Sequence, residues 1–139
     1  MLMPKKVKYR KVQRGKRRGV SKGARELIFG EYGLQVVEPA WLTAQQIEAM
    51  RVSMSRRLKE VKKGAEMLLR VFPDKPITKK PAETRMGKGK GGVDKWVFVA
   101  KRERIICEIK GVEEASAREI LKSASHKLPM KVRIVKKAQ

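Results

Sequence analysis

One segment of the chain carries the residue types of a phosphate cradle. Gly87-Lys88-Gly89-Lys90-Gly91-Gly92 satisfies the spacing G-x-G-x-x-G, in which glycines let a backbone approach an anion closely. A dinucleotide site needs a strand before such a loop and a helix after it, so that phosphate meets a helix N-terminus. Here Pro73, Pro76 and Pro81 precede the glycines, and an apolar stretch around Trp96 that reads as a strand follows them. A P-loop would require Gly-Lys-Ser or Gly-Lys-Thr, and neither occurs. A kinase-type glycine loop lies between strands, but the catalytic motifs that accompany it are missing from this sequence. What this segment can do is press its backbone and the cations Arg85, Lys88 and Lys90 against phosphates.

Catalytic chemistry has little else to stand on. His126 is the only histidine and falls at the end of a helical pattern, a place for capping or for contact with RNA. Cys107, the only cysteine, alternates with Ile106 and Glu108 and reads as an inert buried thiol. A single cysteine excludes an intramolecular disulfide and a cysteine-based zinc site, and makes a reducing compartment the default. No pair of carboxylates stands out as an acid–base couple, and no metal or cofactor is expected. Trp41 and Trp96 could stack on bases, but their apolar surroundings favour core packing.

Charge is the dominant feature. Thirty-six Lys and Arg against 14 Asp and Glu leave a net charge of +22 on 139 residues. Self-repulsion at that density opposes compaction unless a polyanion is at hand. Membrane is the weakest such partner, because no apolar run approaches the roughly 20 residues of a spanning helix; nor does an apolar stretch follow Lys5 and Lys6 as in a signal peptide. The charge is also unevenly placed. Pro4 to Arg25 holds 11 basic residues and no acid, and Lys127 to Gln139 holds five basic residues and no acid. Tyr9, Val12 and Val20 interrupt the first run, and Gly15, Gly19 and Gly23 recur through it. This composition suits an extension that orders along RNA.

The elements that must position these groups follow from periodicity. Residues 1–25 form the basic extension, and 26–139 form one domain, with 73–92 as a long loop inserted between strands. Leu27 to Phe29 and Leu34 to Val37 read as short strands, the second closed by Pro39. Thr43 and Gln46 have the spacing of a capping box. Behind them Ile47, Met50, Met54, Leu58 and Val61 form one apolar helical stripe, with Arg51, Arg56, Arg57 and Lys59 opposite. Met67 to Phe72 reads as a strand, and Val93 to Ala100 with Arg104 to Ile109 as an antiparallel pair joined at Lys101-Arg102-Glu103. A second helix begins after Gly111 and buries Ala117, Ile120, Leu121 and Ala124; Met130 to Val135 alternates as a last strand. The fold class is α+β: one antiparallel or mixed sheet with two helices packed on it, plus the basic extension and the Gly/Lys-rich loop.

The chain also resembles a known family, the large-subunit ribosomal protein sixteen family in its bacterial and organellar form. The likeness lies in Pro4-Lys5 through Lys8-Tyr9-Arg10-Lys11 with Gln13-Arg14-Gly15, in Phe29-Gly30-Glu31-Tyr32-Gly33-Leu34, and in Glu38-Pro39-Ala40-Trp41 running into Gln46-Ile47-Glu48-Ala49. It continues through Arg70-Val71-Phe72-Pro73-Asp74-Lys75-Pro76, Thr78 to Gly87, and His126-Lys127-Leu128-Pro129. The chain departs from the family pattern at Gly64-Ala65-Glu66, at Lys95, and at Arg102-Glu103, where relatives tend to have a Pro-Gly hairpin.

The resemblance implies a structural constituent of the large ribosomal subunit that is not an enzyme. It would sit in 23S rRNA, near the 5S RNA region and neighbouring large-subunit proteins, in a cytoplasmic or organellar ribosome. Carried onto this chain, Lys5, Lys6, Lys8, Arg10, Lys11, Arg14, Lys16, Arg17, Arg18 and Lys22 of the extension would lie along rRNA, as would Arg51, Arg56, Arg57, Lys79 and Lys80. The loop at Arg85, Met86, Gly87, Lys88, Gly89 and Lys90 would approach tRNA in the A site, and secondarily in the P site, beside the peptidyl-transferase centre. A free RNA chaperone or nucleic-acid-binding regulator is the alternative that the same basic surface allows.

Overall fold

The computed structural model describes residues 3–6, 19–61, 64–79 and 92–137. Among these, seven strands and two helices follow one another as β1 (Tyr32–Val36), β2 (Ala40–Thr43), α1 (Ala44–Val61), β3 (Glu66–Leu69), β4 (Lys75–Lys79), β5 (Gly92–Ala100), β6 (Ile105–Lys110), α2 (Glu114–Ser125) and β7 (Val132–Lys136). The strands form two sheets, one ordered β3-β6-β1-β7 and the other β2-β5-β4. Every strand ladder among the described residues is antiparallel. The α+β class is as the sequence indicates, with the strands divided between two sheets instead of one.

Local signals produce α1. Thr43 Oγ1 accepts the N–H of Gln46 at 3.2 Å and Gln46 Oε1 accepts the N–H of Thr43 at 3.0 Å, the reciprocal bonds of a capping box. Ile47, Met50, Met54 and Leu58 are buried as their spacing requires, whereas Val61, past the edge of the core, is exposed. Helix α2 buries Ala117, Ile120, Leu121 and Ala124. The two helices pack on each other, with Ser53 Oγ and Ser123 Oγ 3.4 Å apart across their seam. Tyr32, Leu34 and Val36 of β1, with Cys107 and Ile109 of β6, supply the sheet side of this core.

Four expectations are corrected. Leu27 to Phe29 is not a strand, because its amide groups turn onto a single carboxylate rather than a ladder. Strand β1 does end before Pro39, but residues 40–43, expected only as the lead-in to the first helix, form a further strand, β2. The stretch after Pro73 contains β4 despite Pro76. Strand β4 is an edge of its sheet, where a residue without an N–H is tolerated. Finally, β5 and β6 do not pair. Each joins a different sheet, and the entry to β6 is taken by other partners: Ile105 N–H donates to Ala24 O at 2.7 Å and Glu103 N–H to Val36 O at 2.9 Å. Glu103 turns this corner in a left-handed conformation, φ 69°, that side chains other than glycine rarely adopt.

Candidate nucleic-acid interface

Glu108 on β6 has no exposed surface. Its Oε1 accepts the backbone N–H groups of Ile28 at 2.8 Å, Phe29 at 3.0 Å and Gly30 at 3.1 Å. Successive N–H groups converging on one oxygen make an anion-holding concavity, filled here by the chain's own carboxylate. Oε2 accepts Arg70 Nη1 at 3.1 Å, and the same nitrogen donates to Glu26 O at 2.7 Å. Gly30 lies so close to β6 that a Cβ there would be driven into the Ile109 carbonyl.

The segment leading to Gly30 is tied down along its length. Val20 bridges Arg102, Ser21 N–H donates to Arg102 O at 2.9 Å, and Gln35 Nε2 donates to Glu103 O at 3.0 Å and Arg25 O at 3.3 Å. Gln35 and Glu108 alternate with the core-facing Leu34 and Cys107, so this segment covers the sheet face away from the helices. The root of the basic extension is therefore part of the folded body.

Cations gather on that covered face. Lys22, Arg25, Arg70 and Arg133 line a groove of about 610 Å³, with Glu26 and Glu103 as its acids. Arg25 meets Glu103 at 3.5 Å, an exposed pair that solvent screens. Arg133, at an exposed position, donates from Nε to Gln35 Oε1 at 2.6 Å.

The outer face of α1 divides in two. Arg51 Nε donates to Glu48 Oε2 at 3.2 Å and Nη2 binds Oε1, so this guanidinium is already engaged. That hydrogen bond holds the Glu48 carboxyl below its ordinary range and pushes the Arg51 guanidinium above its own. Arg56 and Arg57, one turn on, are exposed and form no ion pair among the described residues. They line a groove of about 900 Å³ between α1 and the end of α2, joined there by Lys127.

The groups with reactive potential are placed unreactively. Burial pushes the Cys107 thiol up to about 12, a bond with the Leu34 backbone opposes this, and the Glu108 charge adds to it. His126 is the exposed C-cap of α2, its N–H bonded to Ala124 O. Trp96 is buried, as its apolar context indicates, while Trp41 is half-buried under the Lys75 ammonium, 5.3 Å from the ring centre. Arg104, drawn below its usual range by burial and by Arg70, donates from Nη2 to Arg70 O at 2.6 Å.

Comparison with known proteins decides the family. The family described as ribosomal protein L16p/L10e matches residues 4–135. The chain belongs to the L16p/L10e family of ribosomal proteins. It is similar to the large ribosomal subunit protein uL16 of Heliobacterium modesticaldum, 52% identical over 139 residues that cover 100% of this chain and 94% of the relative. It is also 53% identical over 137 residues to the uL16 of Thermus thermophilus, covering 99% of this chain and 95% of that one. Ribosomal proteins of this family are structural constituents and not enzymes.

Within the L16p/L10e chain, the sites expected from sequence fall unevenly. Lys5, Lys6 and Lys22 are exposed, as are Arg56 and Arg57 on α1. Lys79 closes β4. Lys8, Arg10, Lys11, Arg14, Lys16, Arg17, Arg18, Lys80 and the loop from Arg85 to Lys90 lie outside the described residues. Sequence reasoning overlooked Glu48, three residues before Arg51, and left Arg25, Lys127 and Arg133 out of the site. The three cations lie in acid-free terminal runs.

Proposed function

We propose that this chain is a structural component of the large subunit of the cytoplasmic ribosome and holds 23S rRNA with its basic faces. The observation that carries this is the likeness to two large-subunit proteins over essentially the whole chain. Lys22, Arg56, Arg57 and Lys127, which form no ion pair among the described residues, support it, since phosphate contacts fix the register of a protein on RNA. The extension before Val20 continues this contact along rRNA, near the 5S RNA region. The loop containing Arg85, Lys88 and Lys90 reaches tRNA in the A site and, beyond it, the P site. Sedimentation of ribosomes after a high-salt wash tests the reading: the protein stays with large subunits and co-purifies with 23S RNA. Release into the protein-only fractions would replace this reading with a freely acting RNA-binding protein.

A further inference from the structure

We infer that the groove between α1 and the end of α2 seats a single RNA strand and recognises it as RNA through paired serine hydroxyls. This deepens the ribosomal reading by naming the partner chemistry of one face. At about 900 Å³ the groove is of the size that holds drug-sized ligands, hence a few nucleotides. Ala49 and Val52 of α1 line it with small apolar side chains, Arg56 and Arg57 line it from the same helix, and Lys127 lines it from just past the end of α2.

Among the described residues the groove's cations form no ion pair, whereas their helical neighbours do. Glu48 and Arg51 pair on the preceding turn of α1, and Glu114 and Arg118 pair at 3.2 Å on α2. Glu60 has the same helical spacing to Arg56 and Arg57 and also lines the groove, yet no ion pair joins it to either. With Glu48 engaged, three cations face one acid, a balance that fits a polyanion strand.

Ser53 and Ser123 meet in the same groove with their Oγ atoms 3.4 Å apart. A hydroxyl offers one donor and two acceptors, and contact at that length is a weak hydrogen bond, so both retain capacity. A ribose 2′-OH both donates and accepts and is the group that separates RNA from DNA. Phosphates on Arg56, Arg57 and Lys127 would bring the ribose edge toward this pair.

The buried Cys107 makes the test specific, because Ala49→Cys would introduce the sole accessible thiol of the described residues. Alkylation of that thiol in the full-length protein is followed with a short uridine oligoribonucleotide and with its 2′-deoxy counterpart. The RNA is expected to slow alkylation, at concentrations about threefold to tenfold below those the deoxy oligomer needs. Ser53→Ala with Ser123→Ala should bring that ratio near one, while Ser53→Thr, which keeps the hydroxyl, preserves it. Arg56→Ala, Arg57→Ala and Lys127→Ala together should weaken protection by both oligomers and lower the salt slope by about two. Alkylation indifferent to RNA, or an RNA preference that survives loss of both serines, overturns the inference. So does a thiol in large subunits that stays shielded after nuclease digestion, which would assign the groove to a protein neighbour. A failure of the ribosomal reading would appear separately, as loss of co-sedimentation.

Discussion

The carboxylate of Glu108, sealed within the four-stranded sheet, meets the Arg70 guanidinium at 3.1 Å and gathers three amides from Ile28 to Gly30 on its other oxygen. Removing one partner of a buried pair leaves an uncompensated charge away from water, at a cost of about 3–5 kcal/mol. Glu108→Ala is expected to lose stability in that range by urea unfolding. Glu108→Gln, which keeps the volume but turns an amide donor toward other donors, should lose about 1–3 kcal/mol. Both should speed hydrogen exchange at Ile28, Phe29 and Gly30. A loss below about 1 kcal/mol in both variants would show that the contact is incidental.

Two glycines near the same segment separate close approach from mere flexibility. A Cβ at Gly30 meets the backbone of Ile109, which cannot give way without moving β6; one at Gly23 meets nothing within 4 Å. Gly30→Ala should therefore destabilise by about 1–3 kcal/mol, as overpacking does. Gly23→Ala should stay within about 0.5 kcal/mol of the parent. Thermal melts of the two variants check this, and equal effects would contradict the packing of residues 28–30 on β6.

How much of this was legible depends on how local each signal is. The capping box Thr43/Gln46 and the stripe Ile47, Met50, Met54, Leu58 lie within one helix, and periodicity alone places them. The pairing of β6 with β1 and β3 instead of β5 is decided by residues far away in the chain, including Ala24 at the entry to β6. Glu108 showed a partial signal, an acid between Cys107 and Ile109 in an apolar strand. Its three amide partners stand 78 to 80 residues distant in sequence and Arg70 stands 38 distant, and nothing local names them. Arg51 reads as a phosphate contact when the acid-free stretch is followed forward from it, and its ion-pair partner Glu48 lies one turn back.

Cys107 supplies a pH dependence with a defined sign. Its thiol has an ordinary value of 9.0 and is pushed up to about 12 in the folded chain, chiefly by burial. The unfolded state therefore ionises first. The contribution to stability is complete below pH 9.0, declines as pH rises above it, and is gone beyond about 12. Urea titrations of the parent and of Cys107→Ala should show a stability difference that shrinks between these limits. A thiol reagent at neutral pH should modify Cys107 only as fast as the protein unfolds, and rapid labelling of the native chain would refute the burial argument.

The segment 80–91, between β4 and β5, is the proposed approach to tRNA. Replacing Arg85, Lys88 and Lys90 together by Ala should change the isolated protein's stability by no more than roughly 0.5 kcal/mol, because the sequence there offers no apolar period to pack. Particles reconstituted with this variant should bind aminoacyl-tRNA more weakly or form peptide bonds more slowly, because a substrate that depends on positioning loses phosphate contacts. Normal binding and rate with full incorporation would reduce the loop to an element of assembly.

The central claim, that an excess of cations on this fold holds ribosomal RNA by its phosphates, is tested most directly by salt. Binding of the full-length protein to large-subunit RNA is measured by filter retention or fluorescence across a salt series, with log affinity plotted against log salt. With about six phosphates or more neutralised, affinity should fall about a thousandfold or more between roughly 50 and 200 mM salt. A slope matching the release of only about one or two counterions would contradict the account.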